Sequence, residues 1–235
     1  MKKGYMATLL VLLIFFTVSV QADMLAGKIA LDAMKGTDEV LVSEGRFIVF
    51  EPAQGTKNGL VFYPGAKVDP PAYAPLALRL AKEGIITVIV PMPMNLAIFG
   101  SNRADEVLEA YPDIDKWFMV GHSHGGSIAG NYLFTNADRF RGFILLASFS
   151  GRDLSDKDIH VLSITASEDG IITLNDIKNK AHLLPETAKH VIIEGGNHAQ
   201  FGDYGWQDGD SEAKITPEEQ WDITADEMVQ FIVSR

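Results

Sequence analysis

The apolar positions of this chain fall into short runs separated by polar, glycine-rich breaks, and the runs alternate between two periods. Residues 39–43 and 46–50 are two strand-like runs meeting at Glu44-Gly45, the pattern of an antiparallel hairpin. Residues 59–63 form a third strand, closed by Pro64-Gly65, and 85–90 is a continuous β-branched run of the kind a doubly covered parallel strand carries. Between them, 73–83 has helical spacing and ends at Gly84. A helix over 102–110, a strand over 117–120 and a helical stretch over 127–134 follow. Strands at 142–147, 161–166 and 190–194 then alternate with a helix over 174–184, and the last helix spans 217–233, with Trp221, Met228, Phe231 and Ile232 on its inner face. Residues 23–37 read as a helical or irregular lead-in.

Strands alternating with helices at this spacing specify an α/β architecture: a mostly parallel sheet covered on both faces, three layers in all, with the hairpin at its edge. The chain has 235 residues, 47% apolar and 22% charged, enough for one sizeable core. No internal repeat or interdomain linker interrupts it, so residues 23–235 are expected to form one domain.

Residues 1–22 differ from the rest. Lys2 and Lys3 precede an almost wholly apolar run from Tyr5 to Val20, and Val20-Gln21-Ala22 offers small residues for signal-peptidase cleavage before Asp23. The segment reads as a secretory signal, with an uncleaved membrane anchor as the alternative. The domain is then expected outside the cytoplasm, periplasmic or secreted, touching a membrane only if the segment is retained. The chain has no cysteine, which excludes disulfides, thiolate metal sites and a lipoprotein anchor. The net charge of −11, or −13 on loss of Lys2 and Lys3, argues against nucleic acid as a partner.

The candidate chemistry centres on Gly121-His122-Ser123-His124-Gly125-Gly126, a G-x-S-x-G turn between the strand at 117–120 and the helix after it. A serine there is held in strained geometry and points out of the fold, with the helix N-terminus behind it. In a parallel sheet, chemistry gathers at the carboxyl ends of the strands. The strand at 161–166 is followed by Ser167-Glu168-Asp169-Gly170, and that at 190–194 by Gly195-Gly196-Asn197-His198. Ser, Asp and His thus follow three strands in that order, as in a Ser-His-Asp triad on such a sheet. Ser123 is the candidate nucleophile, His198 its base, and Asp169 the orienting acid, with Glu168 as competitor and Gly170 favouring Asp169 through the turn it permits.

An oxyanion hole needs two main-chain N–H groups. His124, after the serine, supplies one, and the Pro64-Gly65-Ala66-Lys67 turn the other, from Ala66 with Gly65 second. Lys67 is positioned either to meet a substrate carboxylate or to stand solvated. The apolar loops 91–99 and 199–206, with Met94, Gln200 and Tyr204, either line a substrate pocket beside Gly65 and Lys67 or pack over the sheet's end. His122 and His124 make an H-x-H pair, but across a sharp turn their side chains diverge and no acidic residue adjoins them, so no metal is expected. No phosphate-binding or dinucleotide glycine motif occurs, and no cofactor is expected. Only thirteen residues, 148–160, separate two strands where many enzymes of this kind insert a helical lid, so an open site is expected.

From the third strand onward the chain resembles the α/β-hydrolase superfamily. More narrowly it resembles the small lidless group called α/β-hydrolase family 5, related to dienelactone hydrolases. The residues that carry this are Tyr63-Pro64-Gly65-Ala66-Lys67-Val68-Asp69-Pro70, Asn102-Arg103-Ala104-Asp105, Gly121 to Gly126, and Gly195 to Gly205. The resemblance implies a hydrolase using Ser123, Asp169 and His198. Ala66 stands where relatives often have a second glycine, and the cysteine nucleophile of dienelactone hydrolases is absent, so their substrate does not carry over. The expected function is hydrolysis of a carboxylic ester or related small acyl compound through an acyl-enzyme. A peptidase or amidase with the same triad, and a non-catalytic binding protein on the same fold, are the alternatives.

Overall fold

The computed structural model describes residues 23–235; the expected signal or anchor segment lies outside them. Eight strands form one sheet: β1 (Val40–Glu44), β2 (Ile48–Pro52), β3 (Asn58–Tyr63), β4 (Ile85–Ile89), β5 (Lys116–His122), β6 (Gly142–Leu146), β7 (His160–Ala166) and β8 (Lys189–Ile193). Their order across the sheet is β1-β2-β4-β3-β5-β6-β7-β8. β1 pairs antiparallel with β2, and β2 antiparallel with β4; all other pairs are parallel. The hairpin therefore sits at one edge, as its pattern predicts. Its turn falls at 45–47, about two residues later than Glu44-Gly45 suggests, because β2 starts where Ile48 pairs with Ile89 of β4.

Among the described residues six α-helices flank the sheet: α1 (Lys28–Ala33), α2 (Ala74–Lys82), α3 (Ala104–Ala110), α4 (His124–Asn136), α5 (Leu174–Lys180) and α6 (Pro217–Val233). The strands' period of two sorts the core into two layers. Leu60, Phe62, Phe118 and Val120 face α2 and α6 with Leu76, Leu80, Met228 and Phe231. Val61, Tyr63, Trp117 and Met119 face α3 and α4 with Val107, Ile128 and Leu133. Phe118 meets Phe231 edge-on at 6.1 Å. Each fully buried ring or branched aliphatic chain of this kind contributes about 1.5–3 kcal/mol.

α6 begins where its sequence says it should. Thr216 caps it, bonding the Glu219 N–H while Glu219 reaches back, and Pro217 occupies the first turn. The cap is worth about 1 kcal/mol. The connection from β6 to β7, residues 147–159, carries no helix, so no lid covers the carboxyl ends of the strands from that position.

Candidate active site

Five non-glycine residues among those described have positive φ: Lys67, Met94, Asn95, Ser123 and Ala147. Lys67 lies in the loop after β3, Met94 and Asn95 after β4, Ser123 after β5, and Ala147 after β6. Backbone strain of this sort costs about 1–3 kcal/mol per residue and persists only where surrounding structure enforces it. Here it is concentrated at one rim of the sheet, around Ser123.

Ser123 joins β5 to α4 with φ 51° and ψ −126°. Three glycines make room for this turn. A Cβ on Gly121 would lie 2.4 Å from the Gly126 Cα, and one on Gly125 2.3 Å from the carbonyl oxygens of Tyr63 and Pro64. A Cβ on Gly126 would lie 2.5 Å from the Ser148 hydroxyl. That hydroxyl donates to the Ser123 carbonyl at 2.6 Å, and the Ser123 N–H donates to the Leu146 carbonyl at 3.0 Å. The loop after β6 thus braces the turn from below, and α4 aims its N-terminal amides at it.

His198 follows β8, and its Nδ1 lies 2.8 Å from Asp169 Oδ2, with both side chains fully buried. The other Asp169 oxygen accepts the N–H groups of Ile171 at 2.8 Å and Ile172 at 2.7 Å. An ionised carboxylate only accepts, so Nδ1 carries the proton and Nε2 presents a lone pair. Nε2 is buried and has no hydrogen-bond partner among the described residues. Glu168 turns the other way: its carboxylate bonds Lys214 at 2.8 Å and the Ser167 hydroxyl at 3.1 Å. The Lys214 bond, then the Ser167 bond, hold its carboxyl below the usual carboxylate range. Of the two neighbouring acids, Asp169 is the one paired with His198.

The pair is framed by residues whose part the sequence did not reveal. Asp210 Oδ1 accepts from Gly170 N–H at 3.1 Å, His198 N–H at 3.3 Å and Ser211 N–H at 2.9 Å, and its Oδ2 accepts from Ala199 N–H at 2.8 Å. One buried carboxylate therefore ties the turn bearing Asp169 to the turn bearing His198. Gln220, fully buried on α6, pairs its amide with both polar groups of the Asn197 peptide at 2.9 and 3.0 Å. Tyr73, fully buried before α2, bonds both Gly65 and His122. These were polar or aromatic residues of loops and helices with no motif of their own.

In the turn after β3, the Gly65 N–H donates to the Tyr73 hydroxyl at 2.9 Å, and the Lys67 N–H donates to the Asn95 carbonyl at 2.7 Å. The Ala66 N–H between them, and the His124 N–H, donate to no group among the described residues. The Lys67 ammonium lies 3.3 Å from an Asp23 carboxylate oxygen. Met94 is 64% exposed, and Ile98 and Phe99 beside it are more than half exposed. Tyr204 is buried, with its hydroxyl on the Gln207 side chain at 3.1 Å and its ring 6.4 Å from that of His122. Gln200 bonds the Ile215 carbonyl and lines a groove of about 350 Å³ with Trp206, Asp203 and Glu212, beyond the His198 turn. His122 points inward while His124 is half-exposed at the start of α4; burial pushes both rings below the ordinary histidine value.

A parallel sheet with its chemistry at the strands' carboxyl ends, and a strained serine on the turn after its fifth strand, is the architecture of α/β hydrolases. The model of the alpha/beta hydrolase family matches residues 59–222, and this chain belongs to that family. It is a hydrolase. Solved structures of the same fold include one described as a predicted CIB-like hydrolase from Thermoplasma acidophilum, 17% identical over 81% of this chain and 99% of that one, with a TM-score of 0.57. Est1E from Butyrivibrio proteoclasticus is 12% identical over 84% of this chain and 100% of its own, with a TM-score of 0.59. The monoacylglycerol lipase of Paleococcus ferrophilus is 13% identical over 82% and 99%, with a TM-score of 0.57. No curated protein sequence matches.

Proposed function

We propose that this protein is a serine hydrolase of carboxylic esters, with Ser123 as nucleophile, His198 as general base and acid, and Asp169 as the group that orients His198. The observation that carries the reading is the buried Asp169–His198 pair, with Nε2 unpartnered among the described residues, packed beside the strained turn bearing Ser123. The link between them is His122, which precedes Ser123 and whose ring centroid lies 4.7 Å from that of His198.

In this mechanism Ser123 Oγ attacks the acyl carbon as His198 Nε2 takes the hydroxyl proton. Asp169 stabilises the imidazolium that forms. The Ala66 and His124 N–H groups, with the α4 N-terminus, receive the developing oxyanion. Collapse of the intermediate breaks the ester C–O bond, and His198 returns its proton to the departing alkoxide. A water molecule, deprotonated by His198, then attacks the acyl carbon of the acyl-enzyme; the bond from Ser123 Oγ to the acyl carbon breaks, His198 returns its proton to Ser123 Oγ, and the acid leaves. The exposed Met94, Ile98 and Phe99 offer an apolar wall for the substrate in an open site. Lys67 and Tyr204, committed to Asp23 and Gln207, are assigned no substrate contact here.

A fluorophosphonate probe tests the reading. Labelling of the wild type, abolished by Ser123→Ala, is the expected result. An unlabelled wild type at neutral pH overturns it. Nitrophenyl esters and the matching anilides, assayed side by side, then rank ester against amide cleavage.

A further inference from the structure

Three consecutive amides follow the turn after β3, and two are consumed: Gly65 by the Tyr73 hydroxyl and Lys67 by the Asn95 carbonyl. Ala66 lies between them and donates to no group among the described residues. The consumption of Gly65 begins a directed chain. An N–H can only donate, so the Tyr73 oxygen accepts from Gly65. The Tyr73 proton then needs an acceptor, and His122 Nδ1 lies 2.8 Å away. If the phenol donates there, His122 is the tautomer protonated at Nε2. Each tautomer leaves one buried donor without a partner among the described residues, the His122 Nε2–H with Nδ1 bare or the phenol O–H with Nδ1 protonated, and only the first carries the chain on from Tyr73 to His122. Leaving a buried donor unsatisfied costs about 1–3 kcal/mol.

The surroundings leave this chain no slack. A Cβ on Gly65 would lie 2.9 Å from His122 Nδ1 and 3.0 Å from the Tyr73 oxygen. The His122 ring is closed in by His198 at 4.7 Å, Phe201 at 5.7 Å and Tyr204 at 6.4 Å. Burial, then the neighbouring His198 ring, hold His122 well below the ordinary histidine value, with the His198 carbonyl opposing them. A neutral His122 is what the site requires. A second positive ring there would repel the imidazolium formed on His198 during acyl transfer.

We infer that Tyr73 and His122 are positioning residues for acyl transfer, holding the Gly65-Ala66 turn through the chain Gly65 N–H to Tyr73 O–H to His122 Nδ1. The inference rests on the serine-hydrolase reading. The pair fixes the Ala66 amide of that turn beside the first turn of α4, and locks that turn to the residue packed on His198. The Gly125 Cβ clash with the Tyr63 and Pro64 carbonyls shows how closely the two turns already abut.

Steady-state kinetics on a short nitrophenyl ester, fluorophosphonate labelling and histidine ¹⁵N NMR test it together. In wild type at pH 7, His122 is expected to be protonated at Nε2 and bare at Nδ1. Tyr73→Phe is expected to lower kcat about ten- to hundred-fold while KM stays within about twofold, the signature of a misplaced transition-state donor. His122→Asn puts an amide oxygen near the Nδ1 position and is expected to keep about tenfold more kcat than His122→Leu, which offers no acceptor. A His122 protonated at Nδ1, an unchanged kcat in Tyr73→Phe, or equal rates for the two His122 variants overturns the inference. If wild type neither labels nor turns over ester, it is the serine-hydrolase reading that has failed, and with it the positioning role; the NMR result still decides the hydrogen-bond chain. Should Tyr73→Phe fail to fold, the NMR measurement and the His122 pair decide.

Discussion

Asp210 and His198 are joined through the backbone: the Asp210 carboxylate accepts the His198 N–H at 3.3 Å and the adjoining Ala199 N–H at 2.8 Å. The same carboxylate accepts Gly170 N–H, next to Asp169. The turns that carry Asp169 and His198 are thus tied together by a third residue that hydrogen-bonds their backbone and neither side chain.

Asp210→Asn is expected to be costly in a specific way. An amide keeps one acceptor oxygen and replaces the other with a donor, so at least one of the four N–H groups now faces an NH2. The expected loss is about 1–3 kcal/mol of stability, the cost of leaving a buried donor unsatisfied. Displacement of His198 by a fraction of an ångström is expected to lower kcat by about tenfold or more. Urea denaturation beside ester kinetics measures both. Wild-type stability and turnover in the variant would show that Asp210 does not hold the two turns.

The two acids after β7 are expected to separate sharply. Asp169→Asn can offer Nδ1 of His198 a donor in place of an acceptor, which favours the wrong tautomer. A fall in kcat of about 10³–10⁴-fold is expected. Glu168 faces Lys214 on the surface, so Glu168→Gln is expected to stay within about threefold, as surface pairs contribute little. Ester turnover of the two variants decides, and the reverse ranking would overturn the assignment of Asp169.

Much of this was readable from pattern alone, and what was not has a common physical origin. Helix α6 begins and ends at the residues its periodicity marks, because cap, proline and apolar stripe agree locally. Ser123, Asp169 and His198 stood out because each follows a strand, and strand ends are visible in a sequence; β8, before His198, is the sheet's largely exposed edge and not the buried strand its apolar run suggests. The hairpin turn was misplaced because the start of β2 is set by pairing with Ile89, forty-one residues on, and no local rule contains that contact. Asp210 was invisible for the same reason. Beside Asp208 and Gly209 it looks like any solvated loop acid, until the fold brings Gly170 to it across forty residues. Tyr204 sits in an aromatic loop whose composition does not distinguish inward from outward, and it points inward.

The glycines of the chain are expected to divide by what surrounds them. Gly125→Ala forces a Cβ to 2.3 Å from two main-chain carbonyl oxygens, and backbone cannot step aside as a side chain can. A loss of about 3 kcal/mol or more is expected, with loss of activity as the serine turn opens. Gly205→Ala meets open space and is strained only by its φ of +78°, so about 1 kcal/mol is expected. Chemical denaturation of the two proteins gives the comparison; equal losses would mean that the tight packing at the serine turn does not constrain it.

His122 makes acid stability of the protein a readout of burial. Its ordinary value is 6.5, and in the fold it lies well below that. As pH falls through 6.5 the unfolded chain takes up a proton that the folded ring refuses. The unfolded state then binds more protons, so stability from this residue is complete above pH 6.5 and is lost on acidification, by up to ~1.4 kcal/mol per pH unit. His122→Asn removes this titration while leaving every other group in place. Unfolding free energies at pH 7.5, 6 and 5 are therefore expected to fall more steeply for wild type than for the variant, by up to about one proton's worth. Parallel curves would mean that His122 titrates in the fold as it does unfolded, which a fully buried ring accepting the Tyr73 proton does not allow.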